Sequence, residues 1–171
     1  MNQTGRLVGS SAFIAFGIIF PILFHSFGAS GSIFLPMHFP VLIAGLFLGS
    51  YSGFIVGVLT PIISSFLTGM PPVMPVLPVM VVELSIYGVV SGYVYRRKSR
   101  NLLIALLCSM LAGRMAATII VYIMATMLHI NLSPIAYITT GVVTGLPGIM
   151  IQFITVPLLV KRFQLAFTKY Y

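Results

Sequence analysis

The run FPVLIAGLFLGSYSGFIVGVLTPIISSFLT, residues 39–68, carries no charge. At 30 residues it is longer than the ~20 that one membrane-crossing helix needs. It is either a single, strongly tilted helix or two short helices that turn near GSYSG at 49–53. The choice sets the side on which every later loop falls, and the basic residues decide it. Apart from Arg114 they sit in three places: Arg6; Arg96, Arg97, Lys98 and Arg100; and Lys161, Arg162 and Lys169. With one helix, the Arg96 group lands opposite Arg6. With two, all of these cations face the cytoplasm, as the positive-inside rule requires. The two-helix reading predicts spans at 7–27, 39–49, 52–68, 75–95, 102–128 and 134–160, in a single domain over 1–171. The outer loops near 28–38, 69–75 and 129–133 then hold no Lys or Arg.

Composition points the same way. Hydrophobic residues make up 59% of the chain and charged ones 6%, with a mean hydropathy of +1.13. A soluble domain carries about 25% charged residues. The long apolar runs lack the period-two alternation of barrel strands. The expectation is an all-α integral membrane protein with six transmembrane helices and both termini cytoplasmic. A net charge of +8 does not imply nucleic acid, because the cations cap apolar spans rather than line a soluble face. Cys108 stands alone in an apolar stretch, which leaves neither a disulfide framework nor a thiolate metal site. The first span followed by GASGS (28–32) has some look of a signal peptide. Its apolar run of about 20 residues exceeds the usual ~7–15 of such leaders, and length favours a retained helix.

Small residues recur every four positions: Gly45, Gly49, Gly53 and Gly57; Gly88 and Gly92; Ala112 and Ala116, with Gly113 and Ala117; Gly141 and Gly145. At that spacing they line helix faces and admit close packing. Ser11 and Ala15 make a similar pair on a first helix that otherwise carries large side chains.

The polar residues inside are fewer and more telling. Glu83 is the only acidic side chain. It lies 12 residues before Tyr95, about 18 Å from the inner boundary. Arg114, 13 residues after Asn101, lies about 20 Å from the same boundary on the next helix. The two opposite charges share a depth where neither is tolerated alone. They form either a structural ion pair or the polar floor of a ligand site opening outward, with Arg114 receiving an anionic group.

The outer side collects His38 between two prolines in FLPMHFP (34–40), a stiff proline loop in TGMPPVMP (68–75), and His129, Asn131 and Ser133. His25 ends the first span. The three histidines lack the spacing of a metal site, so no metal or cofactor is expected. No P-loop, H-E-x-x-H or G-x-S-x-G is present, and an enzyme is not expected. A stand-alone carrier driven by protons through Glu83 remains a second reading, and a purely structural subunit a third.

Two stretches carry a family resemblance: PMHFPVLIAGLFLGSYSGFIVGVLTPIISSFLTGMPP (36–72) and ELSIYGVVSGYVYR (83–96). The P-V-L-x-A-G-x-x-x-G second helix, the proline loop and the Glu-x-x-x-Tyr-Gly helix ending in arginines resemble the substrate-binding S component of energy-coupling factor (ECF) transporters. The resemblance implies a subunit of the bacterial cell membrane that captures a vitamin outside and topples in the bilayer. Its implied partners are a transmembrane coupling subunit and two ATPases. It also implies substrate contacts at His38, Pro71, Pro72, Glu83, Tyr87, Arg114 and Asn131. The family's Ala-x-x-x-Ala contact with the coupling subunit reads here as Ser11-x-x-x-Ala15. PMHFPVLIAG with LTGMPP resembles the pantothenate-type branch; folate, a pyridoxine-like compound or a cobalamin precursor also fits a pocket with one cation and one anion.

Overall fold

The computed structural model describes residues 3–26, 31–127 and 133–168. The chain is helical: α1 (Gln3–Ser26), α2 (Gly31–Phe34), α3 (His38–Leu48), α4 (Ser50–Thr68), α5 (Val76–Tyr93, continued by a π-type turn over Val94–Ser99), α6 (Leu102–Met127) and α7 (Pro134–Thr168). Among the described residues, five segments are long and apolar enough to cross a membrane: those of α1, α4, α5, α6 and α7.

The run 39–68 divides at Gly49. That residue adopts φ 107° and ψ 171°, a backbone conformation essentially closed to side chains with a Cβ. Its N–H still caps the carbonyls of Ala44 and Gly45, and α4 begins at the next residue. The Arg96 guanidinium lies against Gly49 and donates a 2.7 Å hydrogen bond to the Phe47 carbonyl. The basic end of α5 thus closes the turn between α3 and α4 on the face that carries the cations.

α3 is only 11 residues long, which is about 16 Å of helix, half the hydrocarbon thickness. It therefore begins near the middle of the bilayer. The described part of the loop expected at 28–38, residues 31–37, packs back against the bundle. Pro36 and Met37 are buried, and the α2 carbonyls of Ile33 and Phe34 press on Gly148, itself about 20 Å from Lys161 along α7. The outer half of the bundle is filled by this returning segment instead of by a full-length helix. Leu35, at the joint, has φ 50°, a left-handed conformation that is unfavourable for a bulky residue.

α5 is the central helix, packed against α3, α4 and α6. Its contact with α4 is backbone on backbone: a Cβ built on Gly53 would strike the carbonyl of Gly88, and one on Gly88 would strike that of Gly53. Lipid supplies no hydrophobic drive between helices, so this close approach and the dispersion contacts it permits hold the pair together. α1 lies at the edge, with Leu7, Val8, Phe16, Ile19 and Leu23 exposed.

The helix ends follow local chemistry. Gly69 closes α4 with φ 72° and an N–H to the Ser65 carbonyl. Asn101 Oδ1 accepts from the N–H groups of Leu103 and Ile104, an N-cap for α6.

Candidate functional site

Glu83 sits seven residues into α5, about 10 Å along the helix from its outer end, and its side chain is 3% exposed. Arg114 Nη1 lies 3.2 Å from Glu83 Oε1. The same oxygen accepts from the Tyr87 hydroxyl at 3.2 Å, one turn along α5. His38, the first residue of α3, brings Nε2 to 3.9 Å of that carboxylate oxygen. Its ring meets the Tyr87 ring edge-on with centroids 5.3 Å apart. α3, α5 and α6 therefore bring two formal charges, a phenol and an imidazole to one point deep in the bundle, around 16–20 Å by helical rise from the end that carries Arg96. The short α3, which begins at His38, is what brings the imidazole to that level.

Two glycines seat the cluster. A Cβ on Gly113 would overlap the Tyr87 ring, so α6 lies flush against the phenol and Arg114 is delivered from the next position. Gly141 lets Arg114 approach α7 and accepts from Arg114 Nη2 through its carbonyl at 3.3 Å. The spacing of these glycines marked them as packing residues; their service to Tyr87 and Arg114 depends on which neighbours they meet.

The cluster is closed, with His38, Glu83 and Tyr87 all buried. It is not saturated. Both ring nitrogens of His38 and Nε of Arg114 are buried without a hydrogen-bond partner among the described residues; 3.9 Å is too long for such a bond. Buried polar groups left unpaired cost about 1–3 kcal/mol each, and they are rare outside places where something else is to be held. Gln152, on α7, is a further one. It is fully buried with neither amide atom paired among the described residues. Sequence reading passed over it; the signal was a lone amide inside an apolar run.

Pro71 and Pro72 are not drawn into this cluster. Their loop is tied to the end of α4, where Ser65 donates to the Pro71 carbonyl at 2.7 Å and Ser64 to the Met70 carbonyl at 2.8 Å. Pro71 is buried there and Pro72 exposed. Asn131 and His129 lie outside the described residues. Ser11 and Ala15 stand on the exposed face of α1, and the Ser11 hydroxyl is spent on the Leu7 carbonyl at 3.1 Å, which leaves a small, self-satisfied surface.

One family model matches the chain, over residues 6–160: the substrate-specific component of ECF transporters. No curated protein and no solved structure is matched.

Proposed function

The chain belongs to the substrate-specific components of ECF transporters, and from that premise we propose that it captures a vitamin carrying a carboxylate, pantothenate first among them, on the outer side of the bacterial plasma membrane. As a member of this family it is a substrate-binding subunit of a transporter. In the proposed reading a transmembrane coupling subunit and two ATPases supply the energy. The working unit is the single domain 1–171, and Ser11 and Ala15 meet the coupling subunit on the exposed face of α1.

The observation that carries the substrate reading is Arg114. It is a cation at mid-depth that gives Nη1 to Glu83 and Nη2 to Gly141 and keeps Nε buried and unpaired among the described residues. A carboxylate sharing the guanidinium with Glu83 completes it, and a hydroxyl or amide of the same molecule pairs with His38. Tyr87 holds Glu83 in place. Pro71, Pro72 and Asn131 line the outer approach in this reading. Because the cluster is closed, entry requires the segment over 31–37 to move away from α7, and the left-handed joint at Leu35 is where the backbone turns.

The test is mass spectrometry of whatever small molecule leaves the purified chain on denaturation, joined to a thermal-shift panel of vitamins. Retention of pantothenate or another carboxylate vitamin, lost in Arg114→Met, supports the reading. A preparation that retains nothing and that no vitamin stabilises refutes it. The proximity of His38 to Glu83 favours one second reading, a carrier driven by protons. That reading requires uptake into liposomes by the chain alone under a pH gradient, abolished in Glu83→Gln.

A further inference from the structure

At the cytoplasmic end, far from the Glu83 cluster, a groove of about 560 Å³ opens between the end of α5, the start of α6 and the last part of α7. That volume lies in the range of sites that hold a small molecule. Its walls have two chemistries. Arg100 and Lys161 contribute cations from two elements far apart in sequence. Toward the bilayer the walls are apolar: Leu103, Ile154 and Leu158 line the groove and are 51%, 65% and 60% exposed. One wall is pinned by the Tyr95–Gln164 pair, in which the Gln164 amide donates to the Tyr95 hydroxyl at 3.0 Å. From Ile154 to Lys161 the groove follows α7 for about 10 Å, from the hydrocarbon to the interface.

The two cations have no carboxylate side chain to answer them. The only acidic side chain of the protein is Glu83, about 18 Å deeper and engaged with Arg114. No side chain of the protein is left to supply their counter-anion, and the groove suits one that carries an apolar tail. Basic recesses between transmembrane helices on the cytoplasmic side suit lipid headgroups. A free phosphate would satisfy Arg100 and Lys161 but leave the apolar half empty.

We propose that this groove is a site for an anionic phospholipid of the cytoplasmic leaflet, its phosphate between Arg100 and Lys161 and one acyl chain along Leu103, Ile154 and Leu158. The bound lipid bridges the start of α6 to the end of α7.

Native mass spectrometry of the full chain, released from detergent with dioleoyl phosphatidylglycerol or dioleoyl phosphatidylcholine present, tests this. The wild type should retain phosphatidylglycerol and hold phosphatidylcholine at least about tenfold less. Each cation removed should weaken retention about fivefold, and Arg100→Gln with Lys161→Gln about 25-fold. Arg162→Gln, which removes a neighbouring cation that does not line the groove, should change nothing. Leu158→Trp, which fills the groove and keeps both charges, should also lose the lipid; it carries the test if the double variant does not fold. Equal retention of the two lipids, or full retention by the folded double variant, overturns the proposal. So does displacement by glycerol 1-phosphate at matched concentration, which would make the site one for free phosphate. Loss of the coupling subunit from Leu158→Trp with lipid retention intact would make a protein the occupant, and also overturns it.

Discussion

Removing Glu83 or Arg114 separately and then together measures what the buried pair contributes. At 3.2 Å and an effective dielectric near 20, two unit charges attract by about 5 kcal/mol. Solvent screens this little, since the two side chains are 3% and 14% exposed. Glu83→Gln leaves the guanidinium buried against a neutral amide, and breaking a buried pair from one side costs about 3–5 kcal/mol. Arg114→Gln removes the cation opposite the carboxylate and leaves it buried with the Tyr87 hydroxyl as its donor among the described residues, at a similar cost. The double variant buries two neutral amides and no charge, so it should lose much less than the sum of the two single losses. The expected coupling energy is about 3 kcal/mol or more, under the ~5 kcal/mol Coulomb ceiling. For a chain of this size each kcal/mol moves Tm by about 2–4 °C. The single variants should therefore melt roughly 10 °C early, and the double should recover most of that. The protein has no Trp, so far-UV circular dichroism in detergent, with gel filtration to establish the folded state, is the suitable readout. Losses that add in the double variant, with coupling below about 0.5 kcal/mol, would refute the claim that the two charges meet in a low-dielectric interior.

Gly88→Val should destabilise the α4–α5 contact by about 1–3 kcal/mol or more, because its Cβ meets backbone of Gly53 that cannot yield; a Tm equal to wild type would contradict the packing. Tyr87→Phe removes one hydrogen bond to a charged acceptor, worth about 1.5–3 kcal/mol, and should lower Tm by several degrees while leaving Arg114-dependent substrate binding within a few-fold of wild type by calorimetry. Asn101→Ala should cost about 1 kcal/mol through loss of the α6 cap, read as faster hydrogen exchange at the first turn of α6. Ser11→Trp with Ala15→Trp should leave substrate affinity unchanged and abolish co-purification with the coupling subunit; retained assembly would remove α1 from the proposed interface.

Sequence alone determined the membrane class and the helical architecture, and it predicts the orientation. Those depend on quantities that add along the chain: apolar run lengths against the bilayer thickness, and the side on which Arg6, the Arg96 group and Lys161 accumulate. The shared depth of Glu83 and Arg114 was legible for the same reason, since a helix converts residue count directly into distance. The division of 39–68 at Gly49 was legible too, through the charges it had to reconcile. Tertiary structure alone decided what a linear count cannot supply. The sequence placed His38 at the mouth of a short second helix but could not say which side chains it meets there. The 11-residue α3 and the inward return of residues 31–37 put it beside Glu83. Gly113 and Gly141 became seats for Tyr87 and Arg114, and Gln152 a buried amide unpaired among the described residues, only once neighbours from distant parts of the chain were set against them. The groove at Arg100 and Lys161 likewise exists only because α5, α6 and α7 end together. Depth in a bilayer is a property of one helix, whereas the face a residue presents, and to whom, is a property of the bundle.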